Sequence, residues 1–194
     1  TINEKKKYYL LVPILISMFF ISSFFTTSQD NNGTYKVLRK IDKIEIREYK
    51  SLLYVSYHRK GVDSNQNSHF RVLADYIFGA NEKEEKIAMT SPVVINLEND
   101  REMLFRMPGK YNKKNLPQPN NNNIKVIKSK KQTKAIIRYS GYTNEQKENK
   151  MIKELKKILL ENNIKHTGQY ELFVYDPPYK PFNRRNEISV NIIN

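Results

Sequence analysis

The chain has 194 residues, of which 39% are hydrophobic and 28% charged, so its length suits one globular domain and its polarity excludes a protein with several membrane spans. Lys and Arg outnumber Asp and Glu by 34 to 20, which gives a net charge of +14. The basic residues are 25 Lys and 9 Arg without an Arg-rich block. Because base and phosphate recognition relies strongly on Arg, we expect no nucleic-acid partner. The absence of Cys excludes disulfides, thiolate metal sites and a thiol nucleophile.

A basic and then apolar segment stands at the start of the sequence. Lys5, Lys6 and Lys7 precede an apolar run of 18 residues from Tyr8 to Phe25, a length between the core of an export signal and a minimal membrane span. We predict that residues 1–29 form a cleaved signal peptide, or an uncleaved membrane anchor over 8–25, with a short linker. The charge order then predicts an exported domain, periplasmic or otherwise extracytoplasmic, over residues 34–194.

The first half of this domain combines strands with one helix. Alternating β-formers predict strands over 43–49 and 51–59. Apolar residues at helical spacing from Phe70 to Phe78, with Ser68 as a possible N-cap and Gly79 beyond the end, predict an amphipathic helix. Strands are predicted next at 87–97 and 102–107, followed by a long surface loop over 109–123.

The second half repeats this order of elements. Strands are predicted at 124–129, 134–139, 170–175 and 187–193, and the helix between them begins at a capping box formed by Thr143 and Gln146. Two tandem strand-helix-strand-strand units predict an α+β fold. We expect a distorted antiparallel β-barrel or twisted sheet flanked by two helices, with a ligand between the helices and the sheet edges.

Catalytic and metal-binding patterns are weak in this sequence. It has three His and no HExxH, GxSxG, GxGxxG or P-loop motif. His58 at a strand end and His69 in the first helical turn are weak candidates for metal ligands. Ser91 lacks a glycine elbow and precedes Pro92, which argues against a nucleophile. We therefore expect no enzymatic activity.

The loop from Tyr175 to Arg185 places aromatic rings and three prolines beside cations. Such a mixture suits a planar apolar ligand with carboxylates, since rings cover the plane and a cation pairs with the acid groups. The alternative is structural: the tyrosines cap the core, Arg185 pairs with Glu187, and Lys180 is solvated.

Several segments together resemble the SOUL family of haem-binding proteins over about residues 35–193. They are YKVLRKIDKIEIREYKS, YIFGANEKEEKIAMTSPVVI, LFRMPGKYNKKNLPQP, RYSGY and YDPPYKPFNRRNEISV, in this order. The resemblance implies the duplicated fold and a non-enzymatic protein that binds haem or a related porphyrin, with Lys180 pairing a propionate. The groove that it implies is lined by Phe70, Leu73, Ala74, Ile77, Met89, Tyr175, Tyr179, Lys180, Phe182 and Arg184.

Two positions depart from the family pattern. Glu48 stands where some members carry an axial His, and Asp75 stands where some carry a basic residue. Iron ligation by His58, His69 or Tyr179 therefore stays open, as do two other functions. One is a protein-interaction or scaffold domain. The other is a broad-specificity binder of cationic or amphipathic compounds, with Glu48 and Asp75 in its groove. A dechelatase is a minor option, because no acid/base pair is evident. Besides the tetrapyrrole, the membrane is an expected partner if the N-terminal segment is uncleaved.

Overall fold

The computed structural model describes residues 33–57, 66–98 and 101–193. The elements of these ranges are nine strands and two helices: β1 (Tyr35–Ile41), β2 (Ile44–Tyr49), β3 (Leu53–Tyr57), α1 (Gln66–Ile77), β4 (Val93–Asn96), β5 (Met103–Arg106), β6 (Ile124–Lys128), β7 (Gln132–Ser140), α2 (Glu145–Glu161), β8 (His166–Val174) and β9 (Arg185–Ile192). Neither of these helices has the length and apolar character that a membrane crossing needs. The predicted signal or anchor over residues 1–29 and the candidate ligand His58 lie outside the described residues.

The nine strands form one antiparallel sheet in the order β1-β2-β7-β9-β8-β4-β5-β3-β6. β1 and β6 are its edges, so the sheet is not closed into a barrel. The predicted α+β class with two helices is confirmed. Of the two sheet forms that were expected, a closed barrel is not found, and the strands form an open sheet. Each half has the order strand, helix, strand, strand, with neighbours β3-β5-β4 in one and β7-β9-β8 in the other. Descent of the two halves from a duplicated unit stays a prediction.

Both helices pack on the same core, because each carries one apolar stripe. α1 contacts β3 and β5, whereas α2 contacts β7 and β9. Leu73 and Tyr76 of α1 and Leu155 and Leu159 of α2 are fully buried there. The helix predicted between the strands of the second half is confirmed as α2. Phe70 and Phe78, which the helical spacing also assigned to the apolar stripe of α1, are instead exposed.

The opposite face of the sheet carries a smaller aromatic cluster and buried charges. Tyr49, Val94, Ile136 and Phe173 form this cluster, with further aromatic side chains packed around it. Arg47 on β2 and Glu187 on β9 make a buried ion pair close by. This arrangement places charged groups inside the fold, where each must have a partner.

Three local predictions need correction. β1 was not predicted as a strand, because Val37 is its one buried side chain. The strand expected over 87–97 is confined to β4, which begins after Pro92, a residue that has no N–H to donate to a ladder. The cap of α2 is Asn144 and not Thr143: the Asn144 side chain accepts from the backbone N–H of Lys147 at 2.9 Å.

Candidate functional site

The segment Asp176–Arg184 joins β8 to β9, and we call it the proline loop. Arg184 is only 6% exposed, and its guanidinium lies beneath the loop. Nη1 donates to the carbonyl of Lys180 at 3.1 Å and to that of Pro177, and Nη2 donates to the carbonyl of Asp176 at 3.1 Å. One guanidinium therefore fixes three loop carbonyls. Arg184, predicted to line the groove, holds the loop in shape.

Asp176 is the second anchor of the proline loop. One carboxylate oxygen accepts from the ammonium of Lys180 at 2.7 Å, and the other accepts from the backbone N–H of Arg185 at 2.6 Å. Both hydrogen bonds lower the pKa of Asp176 below its usual value, and the one from Lys180 has the larger effect. The cation predicted for a propionate thus has an internal carboxylate partner in this structure.

Above these anchors the proline loop presents aromatic rings to solvent. Tyr179 is 84% exposed and Phe182 is 77% exposed. Tyr142, on the turn after β7, donates from its hydroxyl to the carbonyl of Pro178 at 3.3 Å, and its ring lies 4.7 Å from the guanidinium carbon of Arg184. We call Tyr142, Tyr179 and Phe182 the aromatic loop surface. Clustered exposed apolar groups of this kind mark binding sites.

Tyr175 and Glu187 fix the base of the proline loop. The Tyr175 hydroxyl donates to the carboxylate of Glu187 at 2.9 Å, and the Arg185 guanidinium carbon lies 3.8 Å from the Tyr175 ring. Burial raises the pKa of Tyr175, and the charge of Glu187 raises it further. Arg185 also pairs with Glu187 at 2.8 Å, as the structural alternative predicted. Tyr175 therefore supports the loop from below.

The predicted groove residues on and after the first helix divide into two groups. Leu73, Ala74 and Ile77 are buried in the core, whereas Phe70 and Met89 are exposed. The Phe70 ring packs edge-on against Phe105 with centroids 5.3 Å apart. Ring contacts and side-chain hydrogen bonds described for α1 run to β3, β5 and the loop before β6, and none runs to the proline loop. A groove that joins the two stays a prediction.

No described group of three or more His, Asp or Glu side chains could hold a metal ion. His69 is 2% exposed and packs edge-on against Tyr57, and its Nδ1 has no hydrogen-bond partner among the residues that the structure describes. Its imidazole is therefore not presented at the surface. Glu48 pairs with Lys131 at 2.9 Å, and Asp75 lies exposed on α1.

Sequence reasoning did not single out Tyr142 as part of the site. The signal was present in the segment RYSGY, where Gly141 has a φ of 87° and starts the turn that carries Tyr142 to the proline loop. Nothing in the sequence alone indicated that this turn and the proline loop touch, because they lie more than thirty residues apart.

Comparison with known proteins gives a consistent result. The family model described as SOUL heme-binding protein matches residues 31–191. "Heme-binding protein 1" of Xenopus laevis is 31% identical over 174 residues, covering 82% of this chain and 90% of that protein. "Heme-binding protein 2" of Homo sapiens is 28% identical over 155 residues, covering 74% of this chain and 75% of that protein.

Solved structures show the same fold at low sequence identity. The C-terminal domain of EcmrR superposes with a TM-score of 0.59 at 12% identity, covering 78% of this chain and 97% of that one. An uncharacterized conserved protein from Listeria innocua gives a TM-score of 0.54 at 10% identity, covering 78% and 92%. Since the family model spans nearly all described residues and the frog protein aligns along most of both chains, this chain belongs to the SOUL heme-binding protein family.

Proposed function

We propose that this protein binds haem or a related porphyrin without catalysing a reaction, and that the aromatic loop surface is the centre of the site. The observation that carries the proposal is the exposure of Tyr179 and Phe182 on a loop that Arg184 holds rigid. Membership of a family whose curated relatives are named for haem binding supports the choice of ligand.

The chemistry of the aromatic loop surface fits a tetrapyrrole. A porphyrin offers a broad apolar plane, and the side chains of Tyr179 and Phe182 with Pro178 and Pro181 offer flat apolar faces. Because Arg184 already orders the loop, little conformational entropy is lost when the ligand binds. The two rings then supply most of the affinity by removing apolar surface from water.

Lys180 supplies the cation for a propionate, although its ammonium already pairs with the carboxylate of Asp176. Its ammonium lies 2.7 Å from the Asp176 carboxylate, so a propionate would share or replace that partner. Charge-assisted contacts of a half-exposed lysine contribute modestly. Tyr179 is the exposed oxygen ligand available to iron on the loop, whereas His69 is buried. Haem, when bound, would supply the iron and the visible absorption that report on the site.

Absorption titration of the purified protein with hemin tests the proposal. We expect a saturable Soret shift with a Kd in the low micromolar range or below. The double variant Tyr179→Ala with Phe182→Ala removes about 100 Å² of apolar contact, worth roughly 2.5 kcal/mol or a roughly 60-fold loss of affinity. Lys180→Glu combined with Tyr179→Ala should weaken binding by at least about tenfold.

Matched controls lie at the far end of α2. Leu160→Ala removes a similarly exposed apolar side chain, and Lys157→Glu reverses an exposed cation about 15 Å along the helix from its first turn. Both variants should bind hemin as the parent protein does. A parent protein without a saturable shift, or loop variants that bind like the controls, would contradict the proposal.

We also propose that residues 1–29 direct the domain across a membrane. The support is the order of three Lys before an 18-residue apolar run. Fractionation of cells that express the full chain, with the N-terminus of the recovered protein read by mass spectrometry, separates the outcomes. A soluble extracytoplasmic protein that begins near residue 30 indicates a cleaved signal, and an intact membrane-bound chain indicates an anchor. Intact protein in the cytoplasm would refute export.

A further inference from the structure

The sheet face opposite the helices contains a cavity that the proposed haem site does not use. Its volume is about 190 Å³, and a smaller extension of about 20 Å³ shares five of its lining residues. The shared residues are Tyr49, Leu52, Tyr54, Val94 and Phe173. Pockets for drug-sized ligands are typically about 300–1,000 Å³, so a tetrapyrrole does not fit here. A cavity of about 150 Å³ accepts benzene, and a single aromatic ring therefore fits.

The walls of this cavity are suited to such a ring. Tyr49 and Phe173 meet edge-on with centroids 6.2 Å apart, and Tyr54 lines both parts of the cavity. Burial raises the pKa of Tyr54 to about 12, while the charge of Glu171 raises it and that of Arg106 lowers it. The Tyr54 phenol thus lies within electrostatic reach of a carboxylate and a guanidinium, and it stays neutral at physiological pH.

Arg106 lines the smaller extension and is only 8% exposed. Its Nε donates to the Thr90 hydroxyl at 3.3 Å. Within the described ranges, neither Nη1 nor Nη2 has a hydrogen-bond partner and no carboxylate pairs with this guanidinium. These terminal nitrogens are not among the fully buried side-chain atoms that lack a partner, so they reach solvent, and a free pair of terminal nitrogens matches the two oxygens of a carboxylate.

The charge balance on this face leads to the same conclusion. The other buried or half-buried cations of this sheet face each have a carboxylate partner: Arg47 pairs with Glu45 and Glu187, Lys134 with Glu171, and Arg185 with Glu187. Arg106 is the cation left over among the described residues of this face. The surplus positive charge therefore stands at the smaller extension of the cavity, whereas the larger part is lined by the paired charges of Lys134 and Glu171.

We propose that this cavity is a second ligand site, which takes a small monocyclic aromatic carboxylate with its ring between Tyr49, Tyr54 and Phe173 and its carboxylate on Arg106. The site is separate from the aromatic loop surface in residues and in size. Its occupant is a free metabolite-sized acid rather than a polymer, because the cavity admits one ring.

Calorimetric titration of the full chain with 3-phenylpropionate tests this inference. The neutral 3-phenylpropionamide and the cationic 3-phenylpropylamine have nearly the same shape and serve as matched probes. We expect the acid to bind roughly 10- to 100-fold more tightly than either, because a hydrogen-bonded charge pair is worth that much in a buried site. Equal affinities for acid and amide, or tightest binding of the amine, would overturn the proposal.

Protein variants, titrated with the same acid and amide, identify which residues form the site. Arg106→Gln should reduce acid binding to the level of the amide and leave amide binding unchanged, whereas Arg39→Gln on the exposed edge strand β1 should change neither. Val94→Phe fills the cavity and should abolish binding of both without removing a charge. If either Arg106→Gln or Val94→Phe still binds the acid as tightly as the parent protein does, the assignment of the site is overturned. One folded variant is enough for this test.

The hemin titration separates this site from the proposed function. Arg106→Gln and Val94→Phe should leave the Soret shift unchanged, and the Tyr179→Ala, Phe182→Ala variant should leave acid binding unchanged. Failure of hemin binding alone would refute the haem proposal and not this one. Competition between hemin and the acid would show that they share one site and would refute the second site.

Discussion

The carboxylate of Glu187 is the most heavily bonded charge in the described part of the fold. It is fully buried and accepts from five donors: Arg47 at 2.8 and 3.0 Å, Tyr175 at 2.9 Å, and Arg185 at 2.8 and 3.0 Å. Glu187→Gln keeps the shape of the side chain and removes its charge. The buried guanidinium of Arg47 then loses its main counter-charge, while Arg185 is partly exposed and recovers some hydration.

Removal of one partner from a buried ion pair costs about 3–5 kcal/mol, since the other charge stays buried without its main counter-charge. Arg47 keeps the part-exposed carboxylate of Glu45 at 2.8 Å. For a domain of about 160 residues, each 1 kcal/mol lowers Tm by roughly 2–4 °C, so we expect a fall of roughly 6–20 °C. Urea denaturation followed by far-UV circular dichroism measures the free energy of unfolding directly. Glu161→Gln, on the exposed surface of α2, is the control and should change it by less than about 0.5 kcal/mol.

The double variant Arg47→Met with Glu187→Leu distinguishes charge burial from general damage. Because it leaves no unpaired charge at the centre of the pair, it should be more stable than Glu187→Gln. A loss below about 1 kcal/mol in Glu187→Gln would refute this reasoning. A double variant that is less stable than Glu187→Gln would do so as well.

Three further predictions concern local structure. Asn81 is buried, and its side-chain amide makes four hydrogen bonds to the backbone, including one to the carbonyl of Glu85 at 2.8 Å. Asn81→Ala should therefore lower the free energy of unfolding, measured by urea denaturation, by about 2–4 kcal/mol, and a loss under about 1 kcal/mol would contradict this. Asn144→Ala removes the cap of α2 and should lower the free energy of unfolding by about 1 kcal/mol. The control Asn149→Ala, on the exposed surface of the same helix, should stabilise the protein slightly, and equal effects of the two variants would contradict the assigned cap. Because the pKa of Asp176 is lowered in the folded protein, its contribution to the stability of the proline loop is intact above the unfolded pKa, near 4, and is lost as the pH falls through the lower folded pKa. Amide exchange in the proline loop, corrected for intrinsic rates, should therefore stay constant from pH 7 to about pH 4. A change between pH 7 and about pH 5 would contradict this prediction.

Burial periodicity explains which elements were predictable from the sequence. The inner positions of α2 recur at helical spacing, because one face of the helix meets the core. The central strand β7 was recognisable instead by a continuous buried run from Lys134 to Ile137, since both of its faces are covered. β1 lacked that signal, since an edge strand with one buried residue reads as a polar segment. The cap of α2 was misplaced by one residue because Thr143 and Asn144 are both good caps, and backbone geometry decides between them.

The candidate site was predictable in its composition and not in its contacts. Exposed rings on a proline-rich loop could be inferred from residue types, and Tyr179 and Phe182 are exposed. The bonds of Arg184 could not be inferred, because the three carbonyls converge through the conformation of the loop. The position of Arg106 beside Tyr54 likewise depends on the register of β3 with β5.

The pairing of Lys180 with Asp176 has a consequence for ionic strength. A propionate that approaches Lys180 meets an ammonium whose charge is already balanced 2.7 Å away. Long-range attraction of the ligand to this position is therefore weak, and salt has little attraction to screen. The contribution of Lys180 to haem affinity should accordingly vary little between low and physiological salt, whereas the attraction of an anionic ligand to the net charge of +14 is screened as salt rises.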